Sequence, residues 1–291
     1  MRAVGGLRHH ARMRDHTRAE QAAGFLLRLI DDETAGRVRE RTGLPGPEDP
    51  RAVRRRLERA WAWGNVLPAS VVLWVLQEDD PDLNAVVWRF MGTDAGLRRA
   101  IARGVPFGAG RTEPVPVHPT LHGEEPETPE SYVRLGLAGA LRAARSMSTA
   151  RAAASMVLTP ADWAAAAAAD GEGPLPGYVR WALSVRPDCP PALRARFGSH
   201  PKFTHRVRQA GVLDGPAEYA TAHRSAAPVL QVLSMGRTLF PARAQEAEDA
   251  LRPLVHEHLG DRVEAWAVLA QLVDTFRGTA PELIATAGAI A

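Results

Sequence analysis

The stretch that decides the fold is "VVLWVLQEDDPDLNAVVWRFMGTDAGLRRAIARGVPFG", residues 71–108. Turn signals, "EDDPD" and then "MGTD", cut it into three apolar runs, which predicts three short helices in succession. Displaced by 107 positions, it lies without a gap on "YVRWALSVRPDCPPALRARFGSHPKFTHRVRQAGVLDG", residues 178–215. Val72 meets Val179, Trp74 meets Trp181, Leu76 meets Leu183 and Phe90 meets Phe197. Ala85 with Ala192, Arg89 with Arg196, Arg99 with Arg206 and Gly104 with Gly211 continue the series. Scarce, bulky residues recurring at equal spacing, with a glycine closing each third helix, read as an internal duplication. Trp74, Trp181, Phe90 and Phe197 are therefore expected to be core residues.

Working outward, strand signals are nearly absent and helix signals recur. Phe25, Leu26, Leu29 and Ile30 trace one helical stripe, and a new helix starts in "RAVRRRLERAWAW" after "LPGPEDP". Asp80 before Pro81 is a helix cap followed by the preferred first residue. Residues 105–130 are rich in Pro and Gly and acidic toward the end. So long a connection either lies across a groove or moves freely. Val133, Leu137, Leu141 and Ala144 then restart a helix, and "TPAD" (159–162) and "TAPE" (279–282) open two more. The helix before Gly278 is apolar nearly all round, so it is expected to be buried. Residues 1–20 carry charge without periodicity and read as a flexible basic tail. Residues 21–291 read as one helical-repeat domain with related halves at about 55–170 and 171–291.

Composition bounds the function. The chain has 291 residues, 45% hydrophobic and 24% charged, ordinary values for a soluble globular protein. Lys202 is the only lysine, so the many arginines reflect a GC-rich coding genome. A net charge of +3 makes no strong case for nucleic acid. Cys189 is the sole cysteine, which excludes an internal disulfide and a cysteine-based metal cluster. No apolar run is long enough for a membrane span, and the N-terminus lacks the apolar core of a secretory signal. A cytoplasmic protein is expected.

The short helices with "DPD" or "SHP" turns, a following "LRR" or "HRV" segment and a closing glycine resemble HEAT-like repeats and the leucine-rich-repeat variant. The resemblance covers the two segments of 38 residues. It implies an all-α, internally duplicated fold, an irregular α-solenoid of stacked helices with a binding surface. Long intervening loops depart from a regular array.

Chemical motifs are scarce. His256 and His258 stand two apart, so a helix turns them to different sides. His118 and His122 lie in a Pro-containing loop with no third ligand nearby in sequence. There is no HExxH, phosphate loop, GxGxxG or GxSxG. The acidic pairs Asp31–Asp32 and Asp79–Asp80 fit helix capping. No catalytic, cofactor-binding or metal-ligating residue is assigned, and no cofactor is expected. Trp61, Trp63 and Trp88, unmatched by the duplication, are either further core residues or exposed anchors. Arg55, Arg59, Arg99 and Arg206 are the candidate partner-binding residues, since arginines along one face could follow a phosphate backbone. The alternative is a solvated face whose arginine stems cover apolar surface. The reading that follows is a non-catalytic helical scaffold that recognises another protein. A HEAT-like nucleic-acid binder is the alternative and a helical enzyme the third possibility.

Overall fold

A computed structural model of the chain describes residues 18–44, 46, 68–90, 94–198, 213 and 215–291, and all of their side chains except that of Phe90. Among these residues there is no β-strand, and the expected all-α class holds. Residues 18–26 form α1, which tightens into a 3-10 turn at Leu27–Leu29. Next come α2 (Asp32–Thr42), α3 (Ala69–Leu76), α4 (Pro81–Phe90) and α5 (Ala95–Ala102). A long connection leads to α6 (Glu130–Ala143), α7 (Met147–Ala154), α8 (Pro160–Glu172), α9 (Gly177–Ser184) and α10 (Pro191–Gly198). The chain closes with α11 (Pro216–Ala222), α12 (Ala226–Leu239), α13 (Pro241–His258), α14 (Val263–Leu272) and α15 (Ala280–Ile290).

The caps follow from the sequence. The Asp80 carboxylate accepts from the Asp82 and Leu83 amides at 2.8 and 3.1 Å, ahead of Pro81. Thr279 with Glu282 forms the expected capping box, and the expected cap Thr159 forms one as well, with Asp162. Helical residues begin at 18, inside the stretch read as a tail; residues 1–17 lie outside the described residues. The stripe of Phe25, Leu26, Leu29 and Ile30 is buried but does not run on as one helix. The break comes at Ile30, extended at φ −109°, ψ 175°, and Asp31, also extended, accepts from the Thr34 amide at 2.8 Å and starts α2.

Two compact units result, Met1–Arg56 with Gly215–Ala291 and Leu57–Asp214. Residues 71–108 and 178–214 of the aligned segments both fall in the second, so the unit boundary does not coincide with halves at 55–170 and 171–291. In the first unit α13 packs on α11, α12 and α15, while α14 packs on α2 and α15. Phe25, Tyr219, Phe240 and Trp266 fill its core. Trp266 donates from Nε1 to the Gly260 carbonyl at 3.0 Å, so its one polar atom is satisfied. Burial of α14 is one-sided: Ala265, Trp266 and Leu269 are covered, whereas Ala267 and Val268 are half-buried. Glu248 of α13 is buried, and Arg237 grips its two oxygens at 2.6 and 2.7 Å.

In the second unit α9 packs on α7 and α10, and α6 packs on α7 and α8. The helices α3 and α9, matched in sequence, both bury their tryptophan along with Val72, Leu76, Val179 and Leu183. Phe197 is fully buried as well. The partner expected for α5, residues 202–209, lies outside the described residues. Asp170, at the end of α8, is buried under Arg180 at 2.8 and 3.0 Å, Arg196 at 3.0 Å and the Leu175 amide at 3.0 Å. Burial, the largest influence, pushes its pKa up. The hydrogen bonds from Arg180 and Leu175 and the charges of Arg180 and Arg196 outweigh it and hold the carboxyl below its ordinary value of 3.8.

Trp181→Ala is expected to cost about 3–5 kcal/mol, as for other buried aromatics, measured as a lowered midpoint of chemical denaturation. Asp170 sets a pH dependence. Its folded pKa is depressed, so its contribution is complete above the ordinary value of 3.8 and is lost as pH falls through the lower folded value. Denaturation midpoints measured down this acid range should fall for the native chain, and fall less steeply for Asp170→Asn.

Candidate functional site

The connection between α5 and α6 is hydrogen-bonded to the elements around it. It is a strap fastened along its length. Gly104, left-handed at φ +65°, ends the turn after α5 as its position predicts, and its carbonyl accepts from the Val115 amide at 2.8 Å. The Phe107 and Gly108 amides donate to the Asp79 carboxylate at 2.8 and 3.1 Å. Asp79 therefore does not cap α4 beside Asp80. It turns away, left-handed at φ +52°, to hold a loop 28 residues further on. Val115 and Leu121, both in the strap, are buried. Near its acidic end Glu125 accepts from Arg103 Nε at 2.8 Å and pairs with Arg99 at 3.4 Å.

Arg99 is one of the four candidate partner-binding arginines, and the structure turns it inward. Its side chain is 1% exposed. One terminal nitrogen donates to the carbonyl and hydroxyl of Ser155 at 2.8 and 2.7 Å. The other donates to the Pro126 and Glu127 carbonyls at 3.2 and 2.8 Å. Burial, and then the nearby cations Arg103 and Arg186, hold its pKa below the ordinary guanidinium value, partly offset by Glu125. Buried, and with both terminal nitrogens hydrogen-bonded within the protein, Arg99 cannot follow an external phosphate backbone. Hydrophobic spacing on α5 did not reveal this, because the acceptors come from residues 126, 127 and 155. Arg55, Arg59 and Arg206 lie outside the described residues, as do Trp61 and Trp63. Trp88 is half-buried, with the Arg98 guanidinium 5.4 Å above its ring.

Sequence reasoning missed Arg186, which is as deeply placed as Arg99. It donates to the Ala154 carbonyl at 2.5 Å, binds both Asp188 oxygens at 2.9 and 2.5 Å, and lies 5.3 Å from the Trp163 ring. The one available signal was the proximity of Arg186 to Asp188 in "RPDC".

Catalytic arrangements are poorly built. Cys189 is buried and its thiol is pushed up to about 12, chiefly by desolvation, so it stays protonated and unreactive at neutral pH. His256 and His258 both fall within α13, two residues apart and so on different sides. Among the described residues no group of three or more His, Cys, Asp or Glu could hold a metal ion. Among the described residues, the arrangement nearest to a triad is Asp82, His118 and Thr120. His118 Nδ1 lies 2.8 Å from the Thr120 hydroxyl, and Nε2 lies 3.8 Å from Asp82. That carboxylate is too far to hydrogen-bond, and the same Nδ1 already accepts the Thr120 amide as a helix cap. The geometry serves the short 3-10 turn Pro119–Leu121.

What the second unit does present is an apolar edge. The stripe Val133, Leu137, Leu141, Ala144 predicts one continuous helical face. Leu141 and Ala144 are buried and Leu137 is half-buried, as that pattern requires. Val133 is instead 72% exposed and Leu135 43% exposed. Gly136 is the cause. At φ +65°, ψ −176° it breaks α6, so the turn before it no longer shares a face with the turns after it. Arg134, paired at 3.9 Å with Glu130, flanks the edge. Comparisons with protein-family models, with curated proteins and with solved structures find no match to this chain.

Arg99→Ala should lower stability by about 3 kcal/mol, because it strands buried carbonyls at about 1–3 kcal/mol each. Thermal denaturation of the purified protein measures this. Gly136→Ala should cost about 1–3 kcal/mol through backbone strain alone, with far-ultraviolet circular dichroism still fully helical.

Proposed function

We propose that this chain is a non-catalytic helical binding protein, an irregular, internally duplicated stack of helices of the HEAT-like kind. It acts in the cytoplasm, and its ligand is another protein. The observation that carries this reading is the exposed pair Val133 and Leu135 on α6. Single exposed apolar residues are common, but two large ones beside a glycine-imposed break are offered outward by the backbone itself. Aliphatic groups flanked by an Arg–Glu pair suit a protein surface better than a polyanion. The all-α fold, with no described helix long and apolar enough to cross a membrane, is compatible with such a role.

The nucleic-acid alternative loses one of its four arginines, since Arg99 is committed inside the second unit. It now rests on Arg55, Arg59 and Arg206. For an enzyme, the inert Cys189 and the capping role of His118 supply no observation in favour.

Val133→Glu with Leu135→Glu tests the reading. Both side chains are exposed, so the double variant should keep the native unfolding free energy within about 0.5 kcal/mol, measured by chemical denaturation. It should also lose the protein that co-purifies with the native chain from its own cells. Retention of that protein by the variant would remove this edge as the binding surface. A mobility-shift titration separates the alternative. The scaffold reading expects no binding of duplex or single-stranded DNA at physiological ionic strength. Tight, salt-sensitive binding that Arg55→Ala with Arg59→Ala abolishes would favour the nucleic-acid reading.

A further inference from the structure

We draw no further inference here: the strongest candidate, the exposed apolar edge at Val133 and Leu135 on the broken helix α6, belongs to the surface already described, and nothing in the structure shows what covers it.

Discussion

Two buried guanidinium groups converge on the end of one short helix, and the second unit is arranged around them. The last carbonyls of α7 have no partner within the helix. The Ala154 carbonyl accepts from Arg186 as well as from the Val157 amide, and the carbonyl of the cap residue Ser155 accepts from Arg99. Cations are also favoured there by the helix dipole. Each guanidinium has donors to spare, and these fasten other elements: Arg99 holds the strap at Pro126 and Glu127, while Arg186 holds Asp188 beyond α9 and lies against Trp163 of α8. Few other side chains could do this, because arginine keeps its charge when buried and offers five donors in a rigid fork.

Burying two like charges near each other is costly, and the second unit offsets the cost locally. Glu125 stands beside Arg99, and Asp188 binds Arg186 through both oxygens. The converse, a buried carboxylate held by more exposed guanidinium groups, appears at Asp170 between Arg180 and Arg196, and in the first unit at Glu248 under Arg237. In an arginine-rich chain with a single lysine, guanidinium groups thus serve as internal fasteners as well as surface charge. This weakens any inference from arginine runs to a polyanion. Whether an arginine faces a partner depends on which acceptors the fold brings to it.

Surface chemistry follows from backbone breaks as much as from side-chain pattern. Asp79 and Gly136 show this from opposite directions. Asp79, in a conformation that few non-glycine residues adopt, accepts two backbone amides of the strap. Gly136 divides a helix whose periodicity is continuous in sequence, and it leaves Val133 and Leu135 outside the core. The proposed binding edge is a product of that division.

Local rules were legible in the sequence: the all-α class, the caps at Asp80, Thr159 and Thr279, the turn at Gly104, and the burial of Trp74, Trp181 and Phe197. Each depends on neighbours within about one helical turn, or on hydrophobicity that only a core can satisfy. The candidate site was legible only in part. Arg99 stood out as an arginine, but its acceptors lie 27, 28 and 56 residues away, and no spacing along the chain encodes them. Arg186 drew no notice because its role depends on a helix end 32 residues before it. The exposure of Val133 turns on one dihedral pair at Gly136, which composition permits but does not require. Capping and burial are local or additive preferences and can be read from order alone. The destination of a buried charge is a long-range hydrogen bond, and only the tertiary structure decided it.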